Sequence, residues 1–176
     1  MVRTTSAVLL ALALPTVALA QGRPVVEIGT SLGVSIVNSD GNSVAHFGIP
    51  GQGILGQPTI YASFFAGSSV LLEPQVALNV LSGGGVTATT VGLGGQIGYL
   101  TKGSAVNSPF FAGTVAFQSV SGGGESESDF GLGGKVGYRL IVGSSVGLRF
   151  EAGYRRWVDS HLNEITFGIG LGGIIR

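Results

Sequence analysis

The sequence has no cysteine, and charged residues make up only 10% of its 176 residues. Without cysteine the fold cannot use disulfides or thiolate metal ligands, so an exported chain of this kind needs another source of stability. The formal net charge is zero, and a near-neutral chain lacks the basic face that nucleic-acid binding favours. We therefore predict no nucleic-acid partner.

Long apolar runs are also missing after residue 20, although the mean hydropathy is high at +0.50. A membrane-spanning helix needs about 20 consecutive apolar residues, so the sequence predicts no such helix there. The apolar residues are instead distributed by alternation with polar ones, which is the pattern of β-strands with two different faces. The chain therefore reads as all-β.

The first 20 residues have the features of a secretory signal peptide. Arg3 provides the positive start, residues 8–14 form a short apolar core, and Ala18 to Ala20 form a small-x-small cleavage site. The core is too short for a membrane anchor. We predict a signal peptide over residues 1–20, cleaved near Ala20, and a single domain over residues 21–176. Loss of Arg3 leaves eight basic residues against nine acidic ones.

The rest of the sequence repeats alternating stretches separated by Gly-, Ser- and Asn-rich breaks. Short breaks, such as 67–69 and 143–145, mostly alternate with longer ones, of which Asn38 to Gly56 is the longest. No segment has a convincing helical period. We predict eight strands, over residues 25–37, 57–66, 70–81, 86–100, 109–120, 129–141, 146–157 and 164–175.

Glycine indicates which face of these strands points inward. The sequence contains 32 glycines among 176 residues, or 18%, against a usual share of roughly 7%. Along each strand, most glycines fall at the same alternate positions as the charged residues (the polar parity), as Gly29, Gly133 and Gly170 do. A soluble lipocalin-like barrel would turn that polar face to water, where glycine only weakens a strand. The narrow interior of an eight-stranded barrel does need small residues. We therefore predict apolar side chains facing lipid and a polar lumen.

These features together resemble the outer-membrane β-barrel superfamily, in particular the small eight-stranded barrels of the OmpA/OmpX type. The resemblance covers Val25 to Arg176 and includes an amphipathic last strand, Ile165 to Ile175. It implies a single antiparallel up-and-down transmembrane β-barrel of about eight strands in the bacterial outer membrane. The implied partners are outer-membrane lipid, lipopolysaccharide and the barrel assembly machinery. The chain ends in Arg176 where the family usually ends in an aromatic residue, and Pro74, which removes a ladder donor, predicts a bulge.

The charges on the polar parity are expected to meet inside the barrel. An eight-stranded interior is filled by side chains, so the first hypothesis is a plugged lumen and a structural or interaction role for the extracellular loops. Two alternatives remain, a narrow channel or transporter lined by the same charges, and a soluble periplasmic ligand-binding barrel. The predicted lumen network contains Glu27, Glu73, Lys135, Arg139, Arg149, Glu151 and Arg155.

Candidate catalytic and metal-binding residues are few. Ser160, His161 and Glu164 are the residue types of acyl transfer, but adjacent Ser and His in a short loop would point apart, so we predict no enzyme. Glu125, Glu127 and Asp129 alternate and could ligate Ca²⁺ or Mg²⁺, although a charged surface loop is the favoured interpretation. We predict no metal and no cofactor.

Two outer features suggest contacts. Arg156 is the one charge on the apolar parity, and a guanidinium suits lipopolysaccharide phosphates. The break over residues 38–56 contains Val44, Phe47, Ile49, Ile54 and Leu55. Apolar residues on an exposed loop can form a contact surface for an extracellular ligand, or they can fold back over the barrel mouth; the sequence leaves both open.

Overall fold

In the computed structural model, the described residues are 26–39, 42–48, 59–83, 86–123 and 125–175. They form β-strands joined by turns, and the predicted signal peptide lies outside them. None of their segments is a helix long and apolar enough to span a membrane. The strands are β1 (Val26–Ser39), β2 (Asn42–Gly48), β3 (Thr59–Ala66), β4 (Val70–Gly83), β5 (Val86–Leu100), β6 (Ser108–Gly122), β7 (Glu125–Val142), β8 (Val146–Trp157) and β9 (Asn163–Ile175).

The strands close into a barrel. From β3 to β9 each strand pairs antiparallel with the next, and β1 pairs with both β3 and β9. The closing ladder runs from Val26 opposite Ile175 to Asn38 opposite Asn163. The prediction of a closed antiparallel barrel of eight strands is therefore confirmed, with β2 as an extra strand. We call the end that holds residues 26 and 175 the terminus end and the opposite end the loop end.

The predicted loop from Asn38 to Gly56 is wrong in its first half. β1 continues to Ser39, and β2 turns back along it, with Val34 opposite Phe47 and Val37 opposite Val44. β1 thus uses one edge for two strands, β3 near the terminus end and β2 near the loop end. The Asp40-Gly41 pair is a common hairpin signal, which the length of the break obscured. Ile49, Ile54 and Leu55 lie outside the described residues.

The bulge predicted at Pro74 is also wrong. The β3–β4 ladder is interrupted after Tyr61 opposite Gln75 and resumes at Phe64 opposite Leu72 in an unchanged register. No extra residue is inserted, because the missing N–H of proline is accommodated by leaving part of the ladder unmade. On its other side Pro74 stands opposite Gly95 in a continuous ladder with β5.

The two faces of the wall have opposite chemistry. Large apolar side chains cover the outside, where Ile97 is 67% exposed and Val136 is 59% exposed. The inside is polar, and Glu27, Arg139 and Arg149 are each at most 2% exposed. This is the reverse of a soluble ligand-binding barrel, which encloses its apolar face. The predicted orientation of the strands is therefore correct.

Glycine makes room for the charged residues of the lumen. Three long basic side chains stand directly opposite a glycine on a neighbouring strand: Arg149 opposite Gly170, Lys135 opposite Gly153, and Arg155 opposite Gly133. The space is tight, since a Cβ at Gly147 would lie 2.6 Å from a carboxylate oxygen of Glu27. The outward-facing Gly113 has no atom within 4 Å of the same position.

Candidate functional site

Glu73 of β4 is the most heavily hydrogen-bonded acid of the lumen. Its Oε1 accepts from the side-chain amides of Gln75 and Gln96, both at 2.9 Å. Its Oε2 accepts from the Ser63 hydroxyl at 2.5 Å and from Arg149 Nη1 at 2.7 Å. Four donors therefore satisfy a carboxylate that is only 2% exposed, which is the condition for keeping a buried charge.

Arg149 of β8 connects the acids of three strands. Besides Glu73, its Nε lies 3.3 Å from Glu27 Oε1, and its Nη1 lies 3.4 Å from Glu151 Oε1. Its guanidinium carbon lies 3.9 Å from the ring centroid of Tyr61, a distance typical of cation–π contact. Arg149 is 1% exposed, so its charge is balanced inside the barrel rather than by water.

Glu27 and Arg139 extend the network towards the terminus end. Arg139 Nε donates to Glu27 Oε2 at 2.8 Å, and the Tyr61 hydroxyl donates to Glu27 Oε1 at 3.3 Å. Arg139 Nη1 also donates to the carbonyl oxygen of Ser104 at 2.8 Å. Because Ser104 belongs to the turn between β5 and β6, this bond holds the turn against the end of the lumen.

Two further ion pairs complete the interior. Lys135 Nζ lies 2.8 Å from Glu151 Oε2, and Arg155 Nη1 lies 3.3 Å from Glu164 Oε2. Glu164 also accepts from the Ser35 hydroxyl at 2.6 Å and from Trp157 Nε1 at 3.1 Å. All seven residues of the predicted network lie inside the barrel, and Glu164 joins them, so four buried acids face four buried bases.

Sequence reasoning missed several of the partners. It associated Glu164 with Ser160 and His161 rather than with the lumen network, and it included none of the neutral side chains that bond to the network. A signal was present on three strands, where the neutral partner alternates in step with a charged residue: Ser35 with Glu27, Gln75 with Glu73, and Trp157 with Arg155. β3 and β5 contain no charged residue, so their neutral partners had no such signal. The neutral partners missed are Ser35, Tyr61, Ser63, Gln75, Gln96 and Trp157.

Buried apolar residues form two clusters inside the barrel, one towards each end. Near the terminus end Phe65, Leu71, Leu100 and Phe110 form one cluster, which we call the terminus-end seal. Near the loop end Trp157, Ala77 and Ala116 form another, with Leu162 packed against it, which we call the loop-end seal. The charged network contacts both clusters, since Arg139 lies 4.9 Å from the ring centroid of Phe65 and Arg155 lies 5.4 Å from that of Trp157.

The suggested acyl-transfer residues do not come together. The Ser160 hydroxyl donates to Asp129, and His161 Nδ1 lies 2.8 Å from the carbonyl oxygen of Val158. Glu164 faces the lumen and bonds Arg155, Ser35 and Trp157 instead. Within the described residues there is also no group of three His, Asp or Glu side chains that could hold a metal ion.

Asp129 organises the turn between β8 and β9, beyond the apolar band. Slight burial raises the pKa of Asp129, but hydrogen bonds from the Ser160 hydroxyl and from the backbone N–H groups of Asp159, Ser160 and Phe130 outweigh it and lower the pKa below its ordinary 3.8. A lowered folded-state pKa means stability that is present at neutral pH and lost as the pH falls through that pKa.

Arg156 lies on the outer surface near the loop end. Its Nη1 donates to Asn163 Oδ1 at 2.9 Å, and the Tyr154 hydroxyl donates to the same oxygen at 2.7 Å. Both donors are exposed, and Tyr154 is 51% exposed. Arg156 therefore projects from the outer face of the wall, whereas its neighbour Arg155 projects into the lumen.

Comparison with known proteins shows similarity of fold. No protein-family model matches the sequence, and no curated protein matches it. Neisserial surface protein A (NspA) superposes with a TM-score of 0.58 at 14% identity, over 85% of this chain and 96% of that one. Ail, the attachment invasion locus protein of Yersinia pestis, gives 0.54 at 12% identity, over 88% and 100%.

The outer membrane protein OprG of Pseudomonas aeruginosa gives a TM-score of 0.55 at 10% identity, over 87% of this chain and 96% of that chain. The resemblance to small outer-membrane β-barrels is therefore confirmed for the fold. Identities this low carry no site residue or ligand from those proteins to this chain.

Proposed function

We propose that this protein is an integral outer-membrane β-barrel with a side-chain-plugged lumen, which acts through the surface of its loop end. The observation that carries the proposal is the set of four buried acids and four buried bases in the lumen, with a buried apolar cluster towards each end. Its charges are paired across β1, β4, β7, β8 and β9, so the ion pairs link strands on different sides of the barrel. The fold resemblance and the apolar outer face support the outer-membrane location. We also propose a leader over residues 1–20 that is cleaved near Ala20.

An ion that crossed this lumen would have to separate buried pairs and displace apolar side chains. Lys135 and Glu151 are in contact at 2.8 Å, as are Arg139 and Glu27. Breaking a buried pair leaves an uncompensated charge, which costs roughly 3–5 kcal/mol. The resting barrel is therefore closed.

We expect the refolded mature protein to show little or no conductance in planar lipid bilayers. Its insertion is checked independently by heat-modifiable gel mobility, and its location by fractionation of the native outer membrane. A stable, large open state would contradict the plug. A small current whose ion selectivity shifted on charge substitution at Arg139 or Arg149 would favour the narrow-channel alternative over the plugged lumen.

We also propose that Arg156 contacts lipopolysaccharide phosphate. Arg156 lies at the outer edge of the apolar surface, and its bond to Asn163 uses only one guanidinium nitrogen, Nη1. The remaining donors suit a phosphate oxygen. Because the site is exposed, the contact is worth about 1 kcal/mol or less.

Arg156→Glu should therefore reduce the stabilisation that lipopolysaccharide adds over phospholipid vesicles by about 1 kcal/mol or less, without preventing folding. Stability is read from the temperature at which heat-modifiable mobility is lost. The control is Lys102→Glu, which changes an exposed charge in the turn at the terminus end. The proposal is wrong if Arg156→Glu and Lys102→Glu retain the same lipopolysaccharide-dependent gain.

The remaining partners follow from the same location. We propose that the barrel assembly machinery reads β9, whose apolar face is outward, with Ile165 44% and Phe167 51% exposed. An extracellular ligand would meet the β1–β2 hairpin, where Val44 is 56% exposed. We propose no catalytic role, since the described Ser160, His161 and Glu164 have separate partners.

A further inference from the structure

A small cavity lies inside the charged compartment. Its volume is about 10 Å³, which is about the smallest space that can hold one water molecule. Its lining carries charges of both signs and hydroxyl groups. The lining residues are Ser31, Thr59, Tyr61, Glu73, Gln75, Lys135, Arg149, Glu151 and Gly170.

Arg149 lines this cavity and has unused donors. Its Nη1 bonds Glu73 and its Nε lies 3.3 Å from Glu27, but Nη2, like Nε, is buried and has no hydrogen-bond partner among the described residues. A buried donor without an acceptor is unfavourable, and buried polar groups in proteins nearly always have a partner, which is often an ordered water. The cavity and the donor therefore point to the same occupant.

We propose that this cavity is a binding site for one ordered water molecule, which accepts a hydrogen bond from Arg149 Nη2 and donates to a carboxylate oxygen of Glu151. A cation is disfavoured by Lys135 and Arg149, and an anion by the two carboxylates. An apolar occupant does not suit the polar wall. Water is the small neutral species that satisfies both signs of the lining.

The proposal deepens the plugged-lumen function and rests on it. All nine lining residues are buried, so the water is shielded from bulk solvent by the wall of the barrel and its own lining. It gives a hydrogen-bond partner to Nη2 of Arg149, the residue that joins the acids of β1, β4 and β8. The water therefore strengthens the plug and provides no path through it.

Gly170 allows a direct test, because it lines the cavity without filling it. A Cβ at Gly170 would lie 3.5 Å from Arg149 Cβ and 3.5 Å from the Tyr61 hydroxyl, which are ordinary contacts. Alanine therefore fits and takes up space that the water needs. Gly113→Ala, on the outer face with no atom within 4 Å, controls for the general effect of alanine in a strand.

We expect Gly170→Ala to lower the Tm in detergent by about 2–4 °C relative to Gly113→Ala, the shift for loss of one hydrogen-bonded group in a chain of this size. A high-resolution crystal structure of the wild-type protein should show a solvent peak within hydrogen-bond distance of Arg149 Nη2, and Gly170→Ala should lack it.

An empty wild-type cavity would overturn the proposal, as would a Tm of Gly170→Ala equal to or above that of Gly113→Ala, because filling a dry cavity stabilises a protein. Bilayer conductance separates this failure from failure of the plug. A non-conducting barrel with a dry cavity would contradict only the water site, whereas an open pore would contradict the proposed function.

Discussion

Replacing Arg149 with methionine should lower the free energy of unfolding by about 3–5 kcal/mol, the usual result of removing one partner from a buried charge network. Methionine retains much of the side-chain volume but leaves Glu27, Glu73 and Glu151 without their shared cation. Glu73 keeps three neutral hydrogen-bond donors. Glu27 keeps only its ion pair with Arg139, and Glu151 keeps only its ion pair with Lys135. Net negative charge in a buried compartment is the reason for the large effect.

Equilibrium unfolding in urea with lipid vesicles or detergent measures this loss. Arg156→Met is the matched control, because it makes the same chemical change on the exposed outer face and should alter stability by about 1 kcal/mol or less. Equal losses for Arg149→Met and Arg156→Met would show that the buried network contributes nothing specific. Adding Glu73→Gln to Arg149→Met should recover about 0.5–3 kcal/mol as coupling energy, because the second change removes one uncompensated acid.

The alternation of side chains between the two faces of a strand explains why much of this fold could be predicted from the sequence. In a strand the side-chain period is two, so the placement of Glu73 and Gln75 against Leu72 and Val76 indicates which residues share the lumen. The burial of Glu73 and the 51% exposure of Val76 agree with that assignment. The glycines indicated which face points into the barrel, because only a crowded interior requires glycine opposite long side chains.

Pairing within the lumen was not readable in the same way. Arg139 and Arg149 stand directly opposite each other on β7 and β8, where like charges are ordinarily unfavourable. They are tolerated because Arg139 turns to Glu27 of β1 and Arg149 also reaches Glu73 of β4. Contacts across a closed barrel depend on strand tilt and stagger, which alternation along one strand does not encode.

β2 was missed for a different reason. The sequence of the break contains a hairpin signal, but the eight strands needed to close a barrel were already assigned without it. The structure shows that β1 is long enough to pair with β3 over Val26 to Thr30 and with β2 over Gly33 to Ser39. A second partner on the same strand edge becomes visible only once the register is known.

Trp157→Ala should be the other severe substitution, with an expected loss of about 3–5 kcal/mol in the free energy of unfolding. Trp157 is fully buried, and its partners in the loop-end seal, Ala77 and Ala116, are too small to refill the space. Its Nε1 also donates to Glu164, so the variant weakens the support of the Arg155–Glu164 pair. Trp157→Phe keeps most of the packing and should lose only about 1–3 kcal/mol through the missing hydrogen bond.

The same variant tests whether the lumen is closed twice. Because the terminus-end seal of Phe65, Leu71, Leu100 and Phe110 remains, Trp157→Ala should still conduct little in planar bilayers despite its lower stability. Phe150→Ala is the control for loss of an aromatic ring, since Phe150 lies on the outer face and is 44% exposed. If Trp157→Ala opened a stable pore, the loop-end seal alone would be the gate, and the ion pairs beneath it would line a channel.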